Sequence, residues 1–212
     1  MTSTEPSTAS PLVCIVDDDE DVRDALAWLL RTRGLASVAF DSAHAFERFL
    51  DGDPAALADR PVCILLDVRM PRVSGIELFE SLAARDALRD VPVIFLTGHG
   101  DVPMAVQALK RGAFDFFEKP YPDNALVDRV IEALRLARDR LGLRQGREAL
   151  ARRIEALTDR EREVMGAILA GKLNKVIADD LQISMRTVEV HRARIFAKMG
   201  VRSAVELANL LK

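Results

Sequence analysis

Cysteine is scarce in this 212-residue chain, with two residues in all. Cys14 and Cys63 each lie inside an apolar run, with no CxxC pair and no Cys/His spacing around them. A reactive or metal-binding role for them therefore has no supporting pattern, and both read as buried, inert thiols. Long hydrophobic runs are missing as well. No apolar segment approaches the length of a membrane-spanning helix, so no membrane partner is expected. The first ten residues, MTSTEPSTAS, lack both the basic start and the apolar segment of a signal peptide, and read as a disordered tail (1–10) of a cytoplasmic protein.

An overall basic excess is also lacking, since the formal net charge is -3. That figure averages two unlike parts. Residues 1–131 carry 13 Lys+Arg against 22 Asp+Glu, residues 132–157 carry 7 against 4, and residues 158–212 carry 10 against 7. An acidic front and a basic back point to separate jobs, with any polyanion binding placed in the rear third. The length suits two domains, and 49% hydrophobic with 30% charged residues is an ordinary soluble composition.

From Leu12 to about Arg140, short apolar runs alternate with amphipathic stretches. Strands are expected at 12–16, 35–40, 61–66, 91–96 and 114–118, and helices at 20–33, 42–50, 75–84, 102–111 and from 123 onward. Five such units predict a doubly wound parallel sheet with helices on both faces, an α/β fold. Ser42 and Asp101 suit helix starts, and Gly34 and Gly112 fall where helices should stop. The last helix has no clear end. Gly142 and Gly146 interrupt it, and residues 132–156 form a helical linker that the pattern leaves open as one long helix with weak points or a helix followed by a hinge.

The run Val62-Cys63-Ile64-Leu65-Leu66 reads as a strand covered on both faces, and it leads into a single acid, Asp67. The first strand ends in Asp17-Asp18-Asp19 and should neighbour the third, so two or three carboxylates are expected to converge at one sheet edge. Like charges so placed raise one another's pKa unless a cation joins them, and hard oxygen ligands suit Mg²⁺. The fourth strand ends in Thr97 and the fifth leads to Lys119, adding a hydroxyl and an ammonium to the same rim. Nucleophilic carboxylate, divalent cation, hydroxyl and lysine form a phosphoryl-transfer set: Asp67 attacks phosphorus, Lys119 neutralises charge and Thr97 donates to an oxygen. Arg69 and His99 flank this rim. A phosphatase of the haloacid-dehalogenase type wants an acid two residues after the nucleophile, where Arg69 stands, and a dinucleotide site wants glycines where Asp17 to Glu20 stand.

On these residues, 11–131 resembles the receiver domain of two-component response regulators, which is flavodoxin-like. The segment TGHGDVPMAVQALKRGAFDFFEKP (97–120) resembles the FixJ-type group. The resemblance implies Asp67 as phosphoacceptor; Asp17, Asp18, Asp67 and the carbonyl of Arg69 around Mg²⁺; and Thr97 with Phe116 as a switch pair in which the ring follows the hydroxyl. One departure is a longer segment at Asp51 to Arg60, expected as a surface loop remote from the acids.

From Thr158 the pattern becomes all-helical. Thr158-Asp159-Arg160-Glu161 has the form of a capping box, Asn174 opens a short helix, Ser184 caps one running to Met199, and Ser203 a last one. The helices 174–181 and 185–199 have helix-turn-helix lengths. At 100° per residue, Val188, His191, Ile195 and Met199 share one side and should be core; Arg186, Val190, Ala193 and Ala197 lie opposite, beside Glu189 and Arg194, as a face that fits a major groove. A small helical bundle with a solvated charged face would show the same pattern. Residues 157–212 resemble the LuxR/NarL-type helix-turn-helix DNA-binding domain through LTDREREV, NKVIADDL and ISMRTVEVHRARIFAKMGV. That resemblance implies DNA contacts from Asn174, Lys175, Arg186, Thr187, Glu189, Val190, Arg192, Ala193, Arg194 and Lys198. Of these, Lys175, Thr187, Arg192 and Lys198 serve as phosphate contacts, and Glu189, Val190 and Ala193 as base readers, although Arg192 falls nearer the core on the helical wheel.

Together these readings describe a transcriptional regulator rather than an enzyme. It would take a phosphoryl group onto Asp67 from a sensor histidine kinase or a small phosphodonor, lose it slowly, dimerise and bind promoter DNA, with RNA polymerase as a further partner. The alternative is a signalling adaptor that changes protein partners on phosphorylation and touches DNA little. A true phosphomonoesterase is a third class, disfavoured by the missing general acid.

Overall fold

The computed structural model describes residues 10–52, 57–98 and 102–211, so the expectations for His99, the Asp101 cap and part of the 51–60 loop lie outside the described residues. By compactness the chain divides into two units, 1–143 and 144–212.

The first elements run β1 (Leu12–Val16), α1 (Glu20–Thr32), β2 (Ala36–Phe40), α2 (Ala43–Gly52), β3 (Val62–Asp67), α3 (Gly75–Ala84), β4 (Val93–Thr97), α4 (Val102–Lys110), β5 (Asp115–Glu118) and α5 (Asp123–Glu155), whose residues from Arg144 onward fall in the second unit. The five strands are parallel in the order β2-β1-β3-β4-β5. Four strands begin later than the apolar pattern alone indicates, β5 by one residue at Asp115. Pro92 has no N–H to give a ladder, so β4 starts at Val93, and Pro61 likewise precedes β3. Leu35 is spent on closing α1, its N–H bonding Leu30 O at 3.0 Å beside Gly34, whose φ of 71° the left-handed turn requires.

The strand period of two divides the core cleanly. Cys14, Val16, Ile64, Leu66 and Phe95 face α2, α3 and α4, packing on Phe46, Leu78, Leu82 and Ala108. Val13, Ile15, Cys63, Leu65, Ile94 and Leu96 face α1 and α5, packing on Leu26, Leu30, Leu126, Val130 and Leu134. All six residues of β3 are buried, as a strand covered on both faces requires. Both cysteines are buried, free thiols on opposite faces, and desolvation pushes Cys14 up to about 12 and Cys63 higher still. They are thiols, not thiolates, at neutral pH. Over the linker, α5 runs through Gly142 and Gly146 to Glu155.

The second unit carries α6 (Asp159–Leu169), α7 (Asn174–Asp180), α8 (Met185–Met199) and α9 (Ala204–Leu210). Val164, Ile168, Ile177, Val188, Ile195, Met199 and Leu207 form its core, with Leu157 and, half-buried, Leu150 and Ile154 from the preceding segment. Thr158 and Glu161 make the reciprocal capping box, and Ser184 and Ser203 cap α8 and α9 through their hydroxyls. Gly200, at φ 69°, ends α8 in the left-handed conformation. The link between α7 and α8 turns at Gln182, with φ 52°.

α7 breaks this pattern. Its cap position holds Leu173, 75% exposed and without a side-chain cap. Leu173→Ser should supply the missing acceptor, raising stability by about 1 kcal/mol. Urea unfolding followed by circular dichroism checks this: the midpoint moves up, whereas an unchanged or lower midpoint would mean that the apolar side chain has a structural task.

Candidate functional site

Parallel register builds the first site. Val16 lies opposite Leu66 and Asp67 opposite Leu96, while Thr97 lies opposite Glu118. The residues that follow β1 and β5 and those that end β3 and β4 therefore meet at the carboxyl edge, where the order reverses between β1 and β3. Asp17, Asp67 and Thr97 are 1%, 6% and 0% exposed. Buried carboxylates demand a partner, and Lys119 is that partner for both: its Nζ donates to Asp67 Oδ1 at 2.6 Å and to Asp17 Oδ2 at 2.8 Å. The N–H of Arg69 donates to Asp67 Oδ2 at 2.6 Å, so both oxygens of that carboxylate are fixed. Thr97 Oγ1 donates to Gly98 O at 3.2 Å, and Phe116 is half-buried against the α2–α4 side of the core.

Electrostatics follow from this packing. Desolvation raises the pKa of Asp67, opposed by Lys119 and reinforced by Asp17. Burial alone would lower Lys119, but the two carboxylates hold it above its ordinary value, so the ammonium stays charged. One ammonium between two acids leaves a deficit of positive charge at the rim.

Gly75 has a steric duty here. A Cβ on it would lie 2.0 Å from the carbonyl oxygen of Asp67, and its N–H donates to Val68 O at 3.0 Å. Only glycine lets α3 start this close to the strand end.

The expected convergence of three carboxylates is not assembled. Among the described residues, no group of three or more His, Cys, Asp and Glu side chains comes close enough to hold a metal. Asp17 and Asp67 are brought together; Asp18 is exposed and makes no side-chain hydrogen bond or ion pair among the described residues. The chain bends at Asp18, and like charge disfavours bringing its carboxylate to an acid pair already sharing one cation. The donor chemistry nonetheless fits Mg²⁺, which takes carboxylate and carbonyl oxygens and keeps several waters. Asp17, Asp67, Asp18 and the Arg69 carbonyl are the groups that would hold it.

In the second unit, the side of α8 opposite its core is open as the wheel predicts. Arg186, Glu189, Ala193, Ala197 and Arg194 are exposed and Val190 is 43% exposed, while Val188, Ile195 and Met199 are buried. His191 is half-buried, with a buried Nδ1 that has no hydrogen-bond partner among the described residues. Asn174 starts α7, with Lys175 exposed beside it. Thr187 lies in the first turn of α8, its hydroxyl 2.8 Å from that of Ser184. Arg192 is half-buried with its guanidinium over the Phe196 ring at 5.3 Å, a packing position rather than a groove position.

Lys198 also departs from the role of a phosphate contact. Its Nζ donates to Glu161 Oε2 at 2.6 Å and to Ala156 O at 2.9 Å. Glu161 is 2% exposed and its pKa is held down, first by Lys198 and then by the Thr158 N–H. The capping box was visible in the sequence; the cation across from it, 37 residues away, was not. No local spacing links them.

Two family models match the chain: the response regulator receiver domain over residues 13–131, and the LuxR family of bacterial regulatory proteins over residues 155–211. The C4-dicarboxylate transport transcriptional regulatory protein DctR of Rhodobacter capsulatus is 48% identical over 202 residues, spanning 93% of this chain and 98% of that protein. The transcriptional regulatory protein FixJ of Azorhizobium caulinodans is 44% identical over 198 residues, spanning 93% of this chain and 90% of that one. Among solved structures, the response regulator StyR superposes with a TM-score of 0.86 at 40% identity, covering 96% of this chain and 98% of StyR. Among the described residues no helix is long and apolar enough to cross a membrane.

Lys198→Ala should leave Glu161 buried without its cation and lower stability by about 1–3 kcal/mol. A carboxylate with a depressed folded pKa adds stability that is complete above its unfolded pKa and is lost as pH falls through the folded one. Acid titration of the thermal midpoint should accordingly fall less steeply in Lys198→Ala than in wild type. Equal stability at neutral pH would return Lys198 to the pool of available DNA contacts.

Proposed function

Since the chain belongs to the response-regulator family, joining a receiver domain to a LuxR-type DNA-binding domain, we propose that Asp67 is its phosphoacceptor and that phosphorylation there controls how the second domain engages promoter DNA. The observation that carries this reading is the buried carboxylate of Asp67, oriented through both oxygens and tied by Lys119 to a second buried acid.

In the proposed reaction the Asp67 carboxylate attacks the phosphorus of a phosphohistidine on a sensor kinase, or of a small acyl phosphate. The new P–O bond forms as the bond to the donor breaks, leaving an acyl phosphate on Asp67. Lys119, already charged and in contact, moves from carboxylate to phosphoryl oxygen, and the Thr97 hydroxyl turns from Gly98 O to donate to another. Mg²⁺, when bound, neutralises charge on the phosphoryl oxygens. Phe116 is the neighbour placed to follow Thr97, on the strand beside it, which couples the chemistry to the surface around α4, β5 and the start of α5. Slow loss of the group needs water at phosphorus, and no acid two residues beyond Asp67 assists a leaving group, in keeping with a phosphoacceptor rather than a turnover enzyme.

On the DNA side, Arg186, Lys175 and Arg194 are exposed cations for phosphates, and Glu189, with the short Val190 and Ala193, approaches base edges. Dimerisation of the phosphorylated form on two half-sites raises affinity by linking two weak readers. The kinase is a partner in the cytoplasm, and RNA polymerase a partner at the promoter.

Loading with acetyl phosphate and Mg²⁺ should tighten promoter binding about tenfold or more, with a steep salt dependence. Asp67→Asn should abolish the increment while keeping the basal, salt-sensitive binding. Equal binding with and without the phosphodonor in both proteins would contradict the reading, and no DNA binding in either would leave the adaptor.

A further inference from the structure

Three features lie outside the site as described: the cleft ringed by Arg89, Arg111 and Arg140, the exposed Leu173 and Val176, and Arg23 on α1. The first two have nothing on them that identifies an occupant. The third carries a role. Arg23 Nη1 donates to the backbone carbonyl of Asp17 at 2.8 Å. That carbonyl belongs to the peptide joining Asp17 to Asp18, two of the groups named above for Mg²⁺. We infer that Arg23 is a positioning residue for the cation site, setting the plane of the Asp17–Asp18 peptide and with it the direction of the Asp18 carboxylate; this rests on the proposed function.

The argument is one of constraint. Asp17 is held on every side: its N–H donates to Phe40 O at 3.2 Å, Oδ1 accepts from the Asp19 N–H at 3.0 Å, Oδ2 accepts from Lys119, and its carbonyl accepts from Arg23. Asp19 is fixed in turn, its carboxylate capping α1 through the N–H groups of Asp21 and Val22. Asp18 lies between these two with an exposed side chain that makes no hydrogen bond or ion pair among the described residues. Its direction depends on the backbone on either side, and on the Asp17 side the peptide plane is set by Arg23. Groups that hold ligands in place usually contribute 10–100-fold to metal affinity.

The sign of the effect separates this role from simple charge. A guanidinium beside a cation site repels the cation, so if only its charge mattered, removing Arg23 would tighten binding. If position matters more, removal weakens it. The test is Mn²⁺ titration of the full-length protein, with free Mn²⁺ counted by its electron paramagnetic resonance signal, together with the thermal midpoint of the metal-free protein. Arg23→Ala should bind Mn²⁺ about tenfold more weakly, and Arg23→Lys, which keeps a donor, should recover most of the affinity, with both metal-free proteins folded at the titration temperature. Unchanged or tighter binding in Arg23→Ala overturns the role, as does a loss matched by Arg23→Lys; if Arg23→Ala does not fold, Arg23→Lys and Arg23→Gln decide by the same ordering. Wild-type protein that takes up no Mn²⁺ would instead sink the cation site on which the proposed function draws.

Discussion

The carboxyl edge of the sheet depends on one ammonium. Lys119 stands between Asp17 and Asp67, and without it two buried carboxylates would face each other unpaired, an arrangement that protonates or disrupts the strand ends rather than persisting. The pairing satisfies the fold at rest and leaves it unfinished, since one positive charge serves two acids. The residual negative charge is what a divalent cation or the positive side of a phosphoryl transfer complex would answer. Folding and the proposed function thus draw on the same three side chains.

Backbone geometry makes the cluster possible. The parallel register puts Asp17 and Asp67 on adjacent strands, Gly75 lets α3 begin against the carbonyl of Asp67, and the Arg69 N–H fixes the second carboxylate oxygen. Each is a constraint on the main chain, so the acid is oriented by rigid strand and turn rather than by its own rotamer preferences. Two side chains beside the cluster are less constrained: among the described residues the Thr97 hydroxyl bonds to the carbonyl of Gly98, and Phe116 is half-buried.

Much of this was legible in the sequence because it follows from periodicity. An apolar run ending in Asp67, with Thr97 and Lys119 at the ends of later runs, is strand-end chemistry, and strand ends of a parallel sheet share an edge. The wheel of α8 separated Val188, Ile195 and Met199 from Arg186, Val190 and Ala193 for the same reason. Periodicity assigns faces, not partners. It could not show that Lys198 is spent on Glu161, that Arg192 lies on Phe196, or that Asp18 stands apart from the acid pair. Those depend on distances across the fold, and on a backbone carbonyl in the case of Arg23, which side-chain patterns do not record.

The central claim is that the acid joined to Lys119 accepts a phosphoryl group, and the most direct measurement identifies the esterified residue. After treatment with acetyl phosphate and Mg²⁺, borohydride reduction converts an aspartyl phosphate to homoserine, and peptide mass spectrometry locates it. The account predicts homoserine at position 67 and nowhere else; homoserine at another acid, or none in protein shown to be folded and metal-loaded, would contradict it.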